Sequence, residues 1–496
     1  MIDREQLREW YSSIGRRGGS ATSAEKSRAA RRNGARGGRP RRQAHDLREL
    51  LREEDLAQWL VGQGLARALL KDGTATAKGR SLAARLWQSQ AIDGTESLGC
   101  WIIGWNGSEA PIVPIASRLP DILQASVPER YYLSPMACAG MLRRAGGGKG
   151  LPPPRLRKSL RLVAGISGTH GAPGTGDGKG VTASSGNIAR CLLATGPRRR
   201  SPPFKTFVTD QDLKTRSLTP VEYERLQGFP DDFTRIPYGG RPAEECPDSL
   251  RYAAAGNSMA VPCLSWIGGR IRERCADGGE SRAVSYIHIF SGISAACVAF
   301  RPLGWRSLAF SEIDPFALEV LRIRHPEASN VGNMTAHDWS QYRGQCNLIV
   351  GGPPCQAFST NGFQDSLRDG RGSLTLHFAR AIHAVRPEWV VAENVSGWLS
   401  TDDNAFGCFL AGLVGADAPL RPPNDHGSWP KCGVVSGPAY GAAWRVLDAR
   451  HFGVPQSRRR VFVVGHLGDW RSAAGALFEC AGGGFRELSA GLPPAA

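Results

Sequence analysis

The sequence predicts an α/β fold with a doubly wound, mostly parallel sheet, and three observations support this prediction. From Ser285 onward, short apolar runs alternate with longer segments of helical periodicity. One apolar run, Asn347 to Val350, ends in the turn Gly351-Gly352-Pro353-Pro354, which is typical of a strand that reaches the carboxyl edge of a sheet. Hydrophobic residues make up 41% of the 496 residues, which allows a large core, and the length predicts two or three domains.

Five strands are predicted in this part of the chain. They are Tyr286 to Phe290, Ser307 to Phe310, Asn347 to Val350, Trp389 to Ala392 and Val461 to Val464. The first is followed by a turn and by a helix that runs through Phe300. Strands that alternate with helices favour parallel pairing with helices on both faces of the sheet.

The amino-terminal part is strongly basic. The whole chain has a formal net charge of +17, which indicates a polyanionic partner. Residues 1–42 contain twelve Arg or Lys and four acidic residues, and the rest is rich in Gly and Ala. Within them, Gly-Gly-Arg-Pro-Arg-Arg at 37–42 resembles an AT-hook, a short arm that lies in the minor groove of DNA. A solvated tail without base contacts is an equally good interpretation.

Two segments separate this tail from the α/β part. In residues 45–95, Leu47, Leu50, Leu51 and Trp59 recur mostly at three- and four-residue steps, which predicts an amphipathic helix. Residues 110–200 are polar and irregular, as expected either for a base-reading insert or for a linker. Inside them, residues 129–135 lead into a predicted apolar helix that carries two arginines, at 143 and 144.

The cysteines and the hydropathy pattern predict a cytoplasmic protein. The twelve cysteines include no Cys-x-x-Cys pair and no cluster with zinc spacing, so reduced thiols and no metal site are expected. No clean apolar stretch of about 18 residues occurs, so no membrane segment is expected. Met1 to Glu5 lead into no apolar core, so no signal peptide is expected either.

The turn after the third predicted strand presents one thiol, that of Cys355. Open α/β sheets place their chemistry at the carboxyl ends of strands, so this cysteine is a candidate nucleophile. The alternative is a buried cysteine that acts as a small hydrophobic residue.

Gly351 to Ser359 resemble the nucleophile loop of the DNA (cytosine-5)-methyltransferases, in particular those of phage and restriction-modification systems. Four further segments resemble motifs of the same family. These are Ala392-Glu393-Asn394-Val395, Gln456-Ser457-Arg458-Arg459-Arg460, Thr219-Pro220 with Glu224 to Pro230 (the ninth motif), and Gly256 to Pro262 (the tenth). The resemblance covers about residues 216–270 and 285–470. It implies the α/β fold of S-adenosylmethionine-dependent methyltransferases.

The resemblance also implies an unusual order of domains. The family places motifs I to VIII before target recognition and motifs IX and X, whereas here the last two come first. We therefore expect a circular permutation with its joint at about Cys275 to Arg282, although a fusion of two halves that do not pack together is the alternative. The expected domains are a disordered tail (1–44), a helical segment (45–109), a target-recognition region (110–210), motifs IX and X (211–275), a catalytic core (281–470) and a carboxyl-terminal tail (471–496).

A nucleotide-type pocket is expected beside the first strand. Phe290-Ser291-Gly292 follows this strand, and Glu312 comes about 20 residues later, where an acid can accept hydrogen bonds from ribose hydroxyls. By resemblance the ligand is S-adenosylmethionine. Its implied contacts are Phe290, Gly292, Ile293, Glu312, Ile313, Asn333, Pro354, Leu374, Asn257 and Ser258. The chain departs from the family at His288, Ser294 and Asn333, and this predicts weaker cofactor binding; for Asn333 a simple turn residue is the alternative.

The resemblance implies covalent catalysis on a flipped cytosine. The Cys355 thiolate adds to carbon 6 of the base, and Glu393 shares a proton with nitrogen 3, a role that burial favours by raising its pKa. Arg458 and Arg460 bind the base and the nearby backbone, and Gln456 supports the nucleophile loop. The predicted mobile loop from Gln364 to Arg371 closes over the base, which has been rotated out of the duplex.

These features predict a DNA cytosine-5 methyltransferase with double-stranded DNA as partner and no evident obligate protein partner. Two other readings stay open. A tRNA cytosine-5 methyltransferase belongs to a branch of the same family. A catalytically weak DNA-binding relic of a prophage would fit the departures from the family at His288 and Ser294 and the permuted order of the motifs.

Overall fold

The structure is a computed structural model. It describes residues 69–71, 74–77, 80–86, 89–90, 96–97, 101–106, 108–146, 154–165, 188–192, 206–209, 212–277, 280–354, 373–423 and 428–479. The expected tail (1–44), the leucines at 47–60, Cys355 and the predicted loop from Gln364 to Arg371 lie outside these residues.

One sheet of twelve strands organises the chain. Its strands, in chain order, are β1 (Leu69–Lys71), β2 (Thr74–Ala77), β3 (Arg80–Leu86), β4 (Trp101–Trp105), β5 (Ser285–Ile289), β6 (Arg306–Ser311), β7 (Ser329–Asn330), β8 (Leu348–Gly351), β9 (Trp389–Val395), β10 (Cys432–Ser436), β11 (Tyr440–Asp448) and β12 (Arg459–Leu467). Across the sheet the order is β1-β2-β3-β4-β10-β11-β12-β9-β8-β5-β6-β7.

The helices are α1 (Leu119–Ile122), α2 (Pro135–Gly146), α3 (Pro154–Val163), α4 (Pro220–Gln227), α5 (Asp248–Asn257), α6 (Val261–Arg274), α7 (Ala295–Phe300), α8 (Pro315–Arg324), α9 (Leu374–Val385), α10 (Ala405–Val414) and α11 (Trp470–Leu477). Short two-stranded ribbons pair Ala189–Arg190 with Gln456–Ser457, Phe207–Thr209 with Thr215–Ser217, Ala276–Asp277 with Glu280–Ser281, and Ser89–Gln90 with Glu96–Ser97. In the part of the chain that is described, no helix is long and apolar enough to cross a membrane.

The central part of the sheet is parallel, which confirms the predicted α/β fold. Strands β7, β6, β5, β8 and β9 are neighbours in that order and all pair in parallel. The five predicted strands correspond to β5, β6, β8, β9 and β12. Two hydrophobic clusters cover the two faces: one includes Ile267 and Phe300, and the other includes Phe378 and Phe409. Burial on both faces explains why the parallel strands are almost uniformly apolar.

The sheet continues beyond β9 in an antiparallel arrangement that the sequence did not reveal. Strand β12 pairs antiparallel with both β9 and β11, and β10, β4, β3, β2 and β1 extend the sheet. The predicted helical character of residues 45–109 is therefore wrong from Leu69 onward. The leucines with helical spacing all precede that point, whereas residues 80–86 alternate in the way a strand does.

The carboxyl-terminal boundary also differs from the expectation. Residues 471–477 are part of helix α11 and not of a tail, because Asp469 caps the backbone N–H groups of Arg471 and Ser472 and starts a helix there. The apolar side of α11, including Ala473 and Leu477, is buried in the core.

Local sequence signals explain where several helices begin. Helix α4 starts with a capping box, in which Thr219 accepts from the N–H of Glu222 while Glu222 accepts from the N–H of Thr219. Helix α8 starts at Pro315 after Asp314, which caps the N–H groups of Phe316 and Ala317.

The segment 211–275 and the segment 281–470 share one hydrophobic core. Helix α6 lies against α7, and the backbone of Gly268 approaches the ring of Phe300 so closely that an added Cβ would be 2.8 Å from it. Arg270 donates to the carbonyl oxygens of Gly475 and Phe478 at 2.6 and 2.8 Å. The expected joint forms the ribbon Ala276–Asp277 with Glu280–Ser281.

Candidate active site

The candidate site lies at the carboxyl ends of the parallel strands, where the sequence analysis expected it. Strand β8 ends at Gly351, and an added Cβ there would be 2.5 Å from the ring of Phe378, so only glycine fits. The chain continues through Gly352 and Pro353 to Pro354, which is the last described residue before Cys355. The nucleophile itself lies outside the described residues, so its role stays a prediction.

Asn394 fixes the start of the nucleophile loop. Its Nδ2 donates a 2.9 Å hydrogen bond to the carbonyl oxygen of Pro353, and both groups are buried. Its Oδ1 accepts from the N–H of Val395 at 2.8 Å. The sequence analysis placed Asn394 in a motif but gave it no role. The bond ties strand β9 to the residue two positions before Cys355.

Glu393 lies beside this loop in a buried position. Its side chain lies close to Gly352, which follows strand β8, because a Cβ added to Gly352 would be 3.8 Å from Glu393 Oε2. Burial raises the pKa of Glu393, and the nearby Arg460 and Arg458 oppose that rise in part. Within the described residues, Oε1 accepts no hydrogen bond, although it lies 3.2 Å from Arg460 Nε in an ion pair. A buried carboxyl group whose pKa is raised can share a proton with a bound base.

Arg458 immediately precedes strand β12, and Arg460 is the second residue of that strand. The two side chains have different partners. Arg460 pairs with Glu393, and its Nη2 lies 3.8 Å from Cys191 Sγ. Arg458 is only 2% exposed and donates from Nη2 to the carbonyl oxygens of Gly256 and Ser258 at 3.1 and 2.7 Å. Arg460 thus lies beside Glu393, whereas Arg458 binds the tenth motif.

Gln456 also has partners other than the expected ones. Its Nε2 donates to the carbonyl oxygen of Leu226 and to Gln227 Oε1, at 2.9 and 3.0 Å. Its Oε1 accepts from the N–H of Leu192 at 3.0 Å. In the described residues, Gln456 therefore links the ninth motif to residues 188–192, and its role at the nucleophile loop stays a prediction.

Cys191 is a site residue that the sequence analysis did not identify. The ribbon between Ala189–Arg190 and Gln456–Ser457 carries it to the two arginines, and Arg458 Nη1 lies 3.6 Å from its Sγ. Residues 188–192 belong to the expected recognition region, which consequently reaches the candidate base pocket. A lone cysteine in an irregular segment gave no signal in the sequence.

The turn after β5 forms the other half of the site. Phe290, Gly292 and Ser294 all have positive φ, of 55°, 52° and 55°, so the backbone bends sharply there. Glu312 Oε2 accepts from the N–H of Gly292 at 2.7 Å, and its Oε1 accepts from the N–H groups of Ile313 and Asp314 at 2.8 Å. This carboxylate thus holds the turns after β5 and β6 together.

The residues around these turns fit the cofactor that the resemblance implies. Ser291 Oγ is buried and has no hydrogen-bond partner among the described residues, which suits a turn that receives a polar ligand. Phe290, Ile313 and Leu374 are partly buried, and the ring of Phe290 is tilted relative to that of Phe378 at a centroid distance of 6.2 Å. Such apolar surfaces and a fixed acid suit a nucleoside with its ribose.

Four other predicted cofactor residues differ in their surroundings. Asn333 Oδ1 accepts from the N–H and the Oγ1 of Thr335, both at 3.0 Å, so it forms the turn considered as the alternative. Ile293 is 1% exposed and packs in the core. Asn257 is exposed at the end of α5, while the adjacent Ser258 is buried and donates from Oγ to the carbonyl oxygen of Met259.

His288 replaces a residue that the family usually has as an acid. It lies in β5 and is buried, with Nδ1 3.0 Å from Ser294 Oγ. Burial lowers the pKa of His288 to about 3, so it is neutral at physiological pH. The pair of His288 and Ser294 therefore stabilises the bent turn without adding charge to the pocket.

Several known proteins are similar in sequence to parts of this chain. The model of the family described as C-5 cytosine-specific DNA methylase matches residues 173–273, 284–413 and 435–479, together more than half of the chain. The "DNA N-6-adenine-methyltransferase" of Escherichia phage P1 is 41% identical over 232 residues, which are 40% of this chain and 31% of that protein. The "Type II methyltransferase M.AquIA" of Picosynechococcus is 29% identical over 188 residues, 36% of this chain and 71% of that protein.

The similarity to solved structures is partial. A structure of Spodoptera frugiperda DNMT2 is 19% identical, with a TM-score of 0.28, over 37% of this chain and 50% of that one. The chain spans less than a third of the phage P1 protein and half of the DNMT2 structure. The family match is extensive enough on its own: this chain belongs to the C-5 cytosine-specific DNA methylase family.

Proposed function

We propose that this chain transfers a methyl group from S-adenosylmethionine to carbon 5 of cytosine in double-stranded DNA. The observation that supports this most directly is the arrangement at the ends of β8 and β9. There a buried Glu393, paired with Arg460, lies beside the loop that leads to Cys355. Family membership supports the same activity.

The proposed chemistry assigns one task to each group. The thiolate of Cys355 forms a bond to carbon 6, and Glu393 supplies a proton to nitrogen 3, which makes carbon 5 nucleophilic. S-adenosylmethionine supplies the methyl group when bound. After methyl transfer, carbon 5 loses its proton to water, nitrogen 3 returns its proton to Glu393, and the bond between sulfur and carbon 6 breaks, so that the thiolate and the aromatic base are restored. Arg460 holds Glu393 and faces the base.

The pocket for the methyl donor uses the turn after β5. In this proposal Glu312 binds the ribose hydroxyls, and Phe290, Ile313 and Leu374 contact the adenine. Asn257 and Ser258 of the tenth motif form the wall at the methionine end. The segment 211–275 then completes the pocket from a position before the catalytic core in the chain, as a circular permutation requires.

Methylation of cellular DNA tests the proposal. Bisulfite sequencing of DNA from cells that express the chain should reveal methylated cytosines at one sequence, and Cys355→Ala should abolish them. A duplex containing 5-fluorocytosine should form a covalent adduct with the wild-type protein but not with Cys355→Ala, because the fluorine cannot leave as a proton does. Retention of more than a few per cent of wild-type activity in the alanine variant would rule out this nucleophile.

Three alternatives give different results in the same experiment. Methylation of tRNA and not of DNA would support the tRNA enzyme, and DNA binding without methylation would support the prophage relic. The name of the phage P1 relative makes N-6 methylation of adenine worth measuring as well. Adenine methylation needs no thiol adduct, so it would survive in Cys355→Ala.

A further inference from the structure

Arg458 bridges three parts of the chain that are distant in sequence. Its guanidinium donates to the backbone of the tenth motif and lies 3.6 Å from Cys191 of the recognition region. Its own N–H donates to Asp448 Oδ1 at 3.0 Å, which fixes the backbone at the start of β12. The residue is 2% exposed, so this arrangement is part of the folded interior.

The two carbonyl groups that Arg458 binds flank Asn257. Gly256 and Ser258 are both buried, whereas Asn257 between them is exposed. The Ser258 carbonyl oxygen also accepts from Gln227 Nε2 at 3.0 Å, and the same Nε2 donates to the carbonyl oxygen of Ala255 at 2.7 Å. The backbone on both sides of Asn257 is therefore held by charged or buried donors, which fixes the position of its Cα and the direction of its Cα–Cβ bond.

We propose that Arg458 is a positioning residue that fixes the Asn257 wall of the cofactor pocket and couples it to the recognition region through Cys191. This inference rests on the proposed function, because the cofactor is the one assigned there. It differs from the expectation that Arg458 binds the flipped base. Both donor bonds from Nη2 end on the tenth motif, and the nitrogen that faces the recognition region is Nη1.

Two consequences follow for binding. First, loss of the hydrogen bonds from Arg458 to Gly256 and Ser258 should weaken cofactor binding even when no DNA is present. Without these bonds the backbone on both sides of Asn257 is held less firmly. Second, DNA that engages the recognition region should increase cofactor affinity through the guanidinium. Coupling of this kind is reciprocal in binding free energy, so cofactor should increase DNA affinity by the same factor.

Calorimetric titration of the full-length chain with S-adenosylmethionine tests the first consequence. Arg458→Lys keeps the charge, but its single ammonium lacks the second guanidinium nitrogen and cannot contact the tenth motif and Cys191 at once, so its Kd for S-adenosylmethionine should rise about tenfold. Arg322→Lys is the control, because Arg322 is largely exposed and pairs with Glu319 on the surface of α8. Asn257→Ala should raise the Kd as well, and the double variant should be no worse than either single variant.

Kinetics and DNA binding provide the second readout. In Arg458→Lys the KM for cofactor should rise, and the rate at saturating cofactor should stay near that of the wild type. The factor by which cognate DNA lowers the cofactor Kd should shrink toward one. If Arg458→Lys does not fold, as judged by thermal unfolding, Gln227→Met removes the other donor to Ser258 and should reproduce the rise in Kd.

The outcomes separate this inference from the function on which it rests. A normal cofactor Kd in Arg458→Lys, with a lower rate at saturating cofactor, would show that Arg458 acts on the base and would overturn the inference. Additive effects of Arg458→Lys and Asn257→Ala would overturn it too. If the wild-type chain binds no S-adenosylmethionine, the proposed function fails first and the inference fails with it.

Discussion

Asn394 Nδ2 donates a 2.9 Å hydrogen bond to the carbonyl oxygen of Pro353, and this bond connects the strand that carries Glu393 to the loop that carries Cys355. The strand that carries the expected acid and the residue two positions before the expected nucleophile are therefore fixed relative to one another by a side chain to which no bond-forming role is assigned. Small displacements of reacting groups have large effects on rate, so the bond should matter for turnover.

The first prediction concerns this bond. Asn394→Ala should lower the single-turnover rate of methylation by a factor on the order of 100 while DNA affinity stays within about twofold. Asn106→Ala serves as the control, because Asn106 is exposed and is distant in sequence from Asn394. A rate within threefold of the wild type would mean that the Pro353 loop keeps its position without Asn394.

The second prediction is a pH dependence set by Glu393. Burial raises its pKa, so the protonated form that catalysis needs is present below the raised value and is lost as the pH rises through it. The rate should therefore decline on the alkaline side. Glu393→Gln cannot titrate, so it should lower the rate by a factor on the order of 100 to 10,000 and remove this decline.

The same shift affects stability with a defined sign. A carboxyl group whose pKa is higher in the folded state stabilises the fold at acidic pH, and this contribution disappears as the pH rises through the folded value. Compared with the wild type, Glu393→Gln should therefore gain relative stability between acidic and neutral pH in urea unfolding. A constant difference across that range would contradict the burial-induced shift.

His288 gives the third prediction, with the opposite dependence. Its pKa is lowered to about 3 in the fold, so its contribution to stability is complete above the ordinary histidine value and is lost as the pH falls toward 3. His288→Asn should reduce the loss of stability between pH 6.5 and 3, measured by urea unfolding. His325, which is also buried with a pKa lowered to about 4, contributes to the same range and should be substituted in parallel.

The sequence was sufficient for the parallel part of the fold and for the position of the site. Apolar runs bounded by glycine and proline specify strands such as β5 and β8, and their carboxyl ends define one edge of the sheet. Glu312 and Glu393 could be placed there because each follows a recognisable strand. These signals are local, and a single sequence carries them in full.

The antiparallel extension and the roles of the arginines could not be predicted in this way. Strand β11 is buried along its whole length, so its periodicity resembles that of a buried helix. The long-range partners of Arg458 and Gln456 lie 200 to 267 residues away. Several of them are backbone carbonyl groups, which any residue type carries, so the sequence does not reveal them. Cys191 reaches the site only through a ribbon of two residues per strand.

The fourth prediction concerns the basic tail, whose structure is not described. Deletion of residues 1–42 should reduce affinity for DNA of any sequence, because these residues carry a large excess of positive charge. The slope of log affinity against log salt concentration should become shallower, and the methylated sequence in bisulfite reads should stay the same. A changed target sequence would show that the tail reads bases.

The last prediction tests whether the tenth-motif segment and the catalytic core pack as one fold, and the chain offers a matched pair of glycines for it. Both Gly268 and Gly269 lie in helix α6, but an added Cβ at Gly268 would be 2.8 Å from the ring of Phe300, whereas at Gly269 it would meet nothing within 4 Å. Gly268→Ala must push α6 away from α7 and should cost about 1 to 3 kcal/mol in the free energy of unfolding.

Gly269→Ala should instead be neutral or stabilise the protein by about 0.5 to 1 kcal/mol, because alanine favours the helix and fits without strain. Urea unfolding of the two full-length variants measures the difference directly. If the segments belonged to a fusion whose halves do not pack together, α6 would not face Phe300, and both alanines would stabilise the helix alike. Opposite signs for adjacent residues of one helix require the contact with α7, and with it a tenth motif that packs against the first turn of the cofactor pocket.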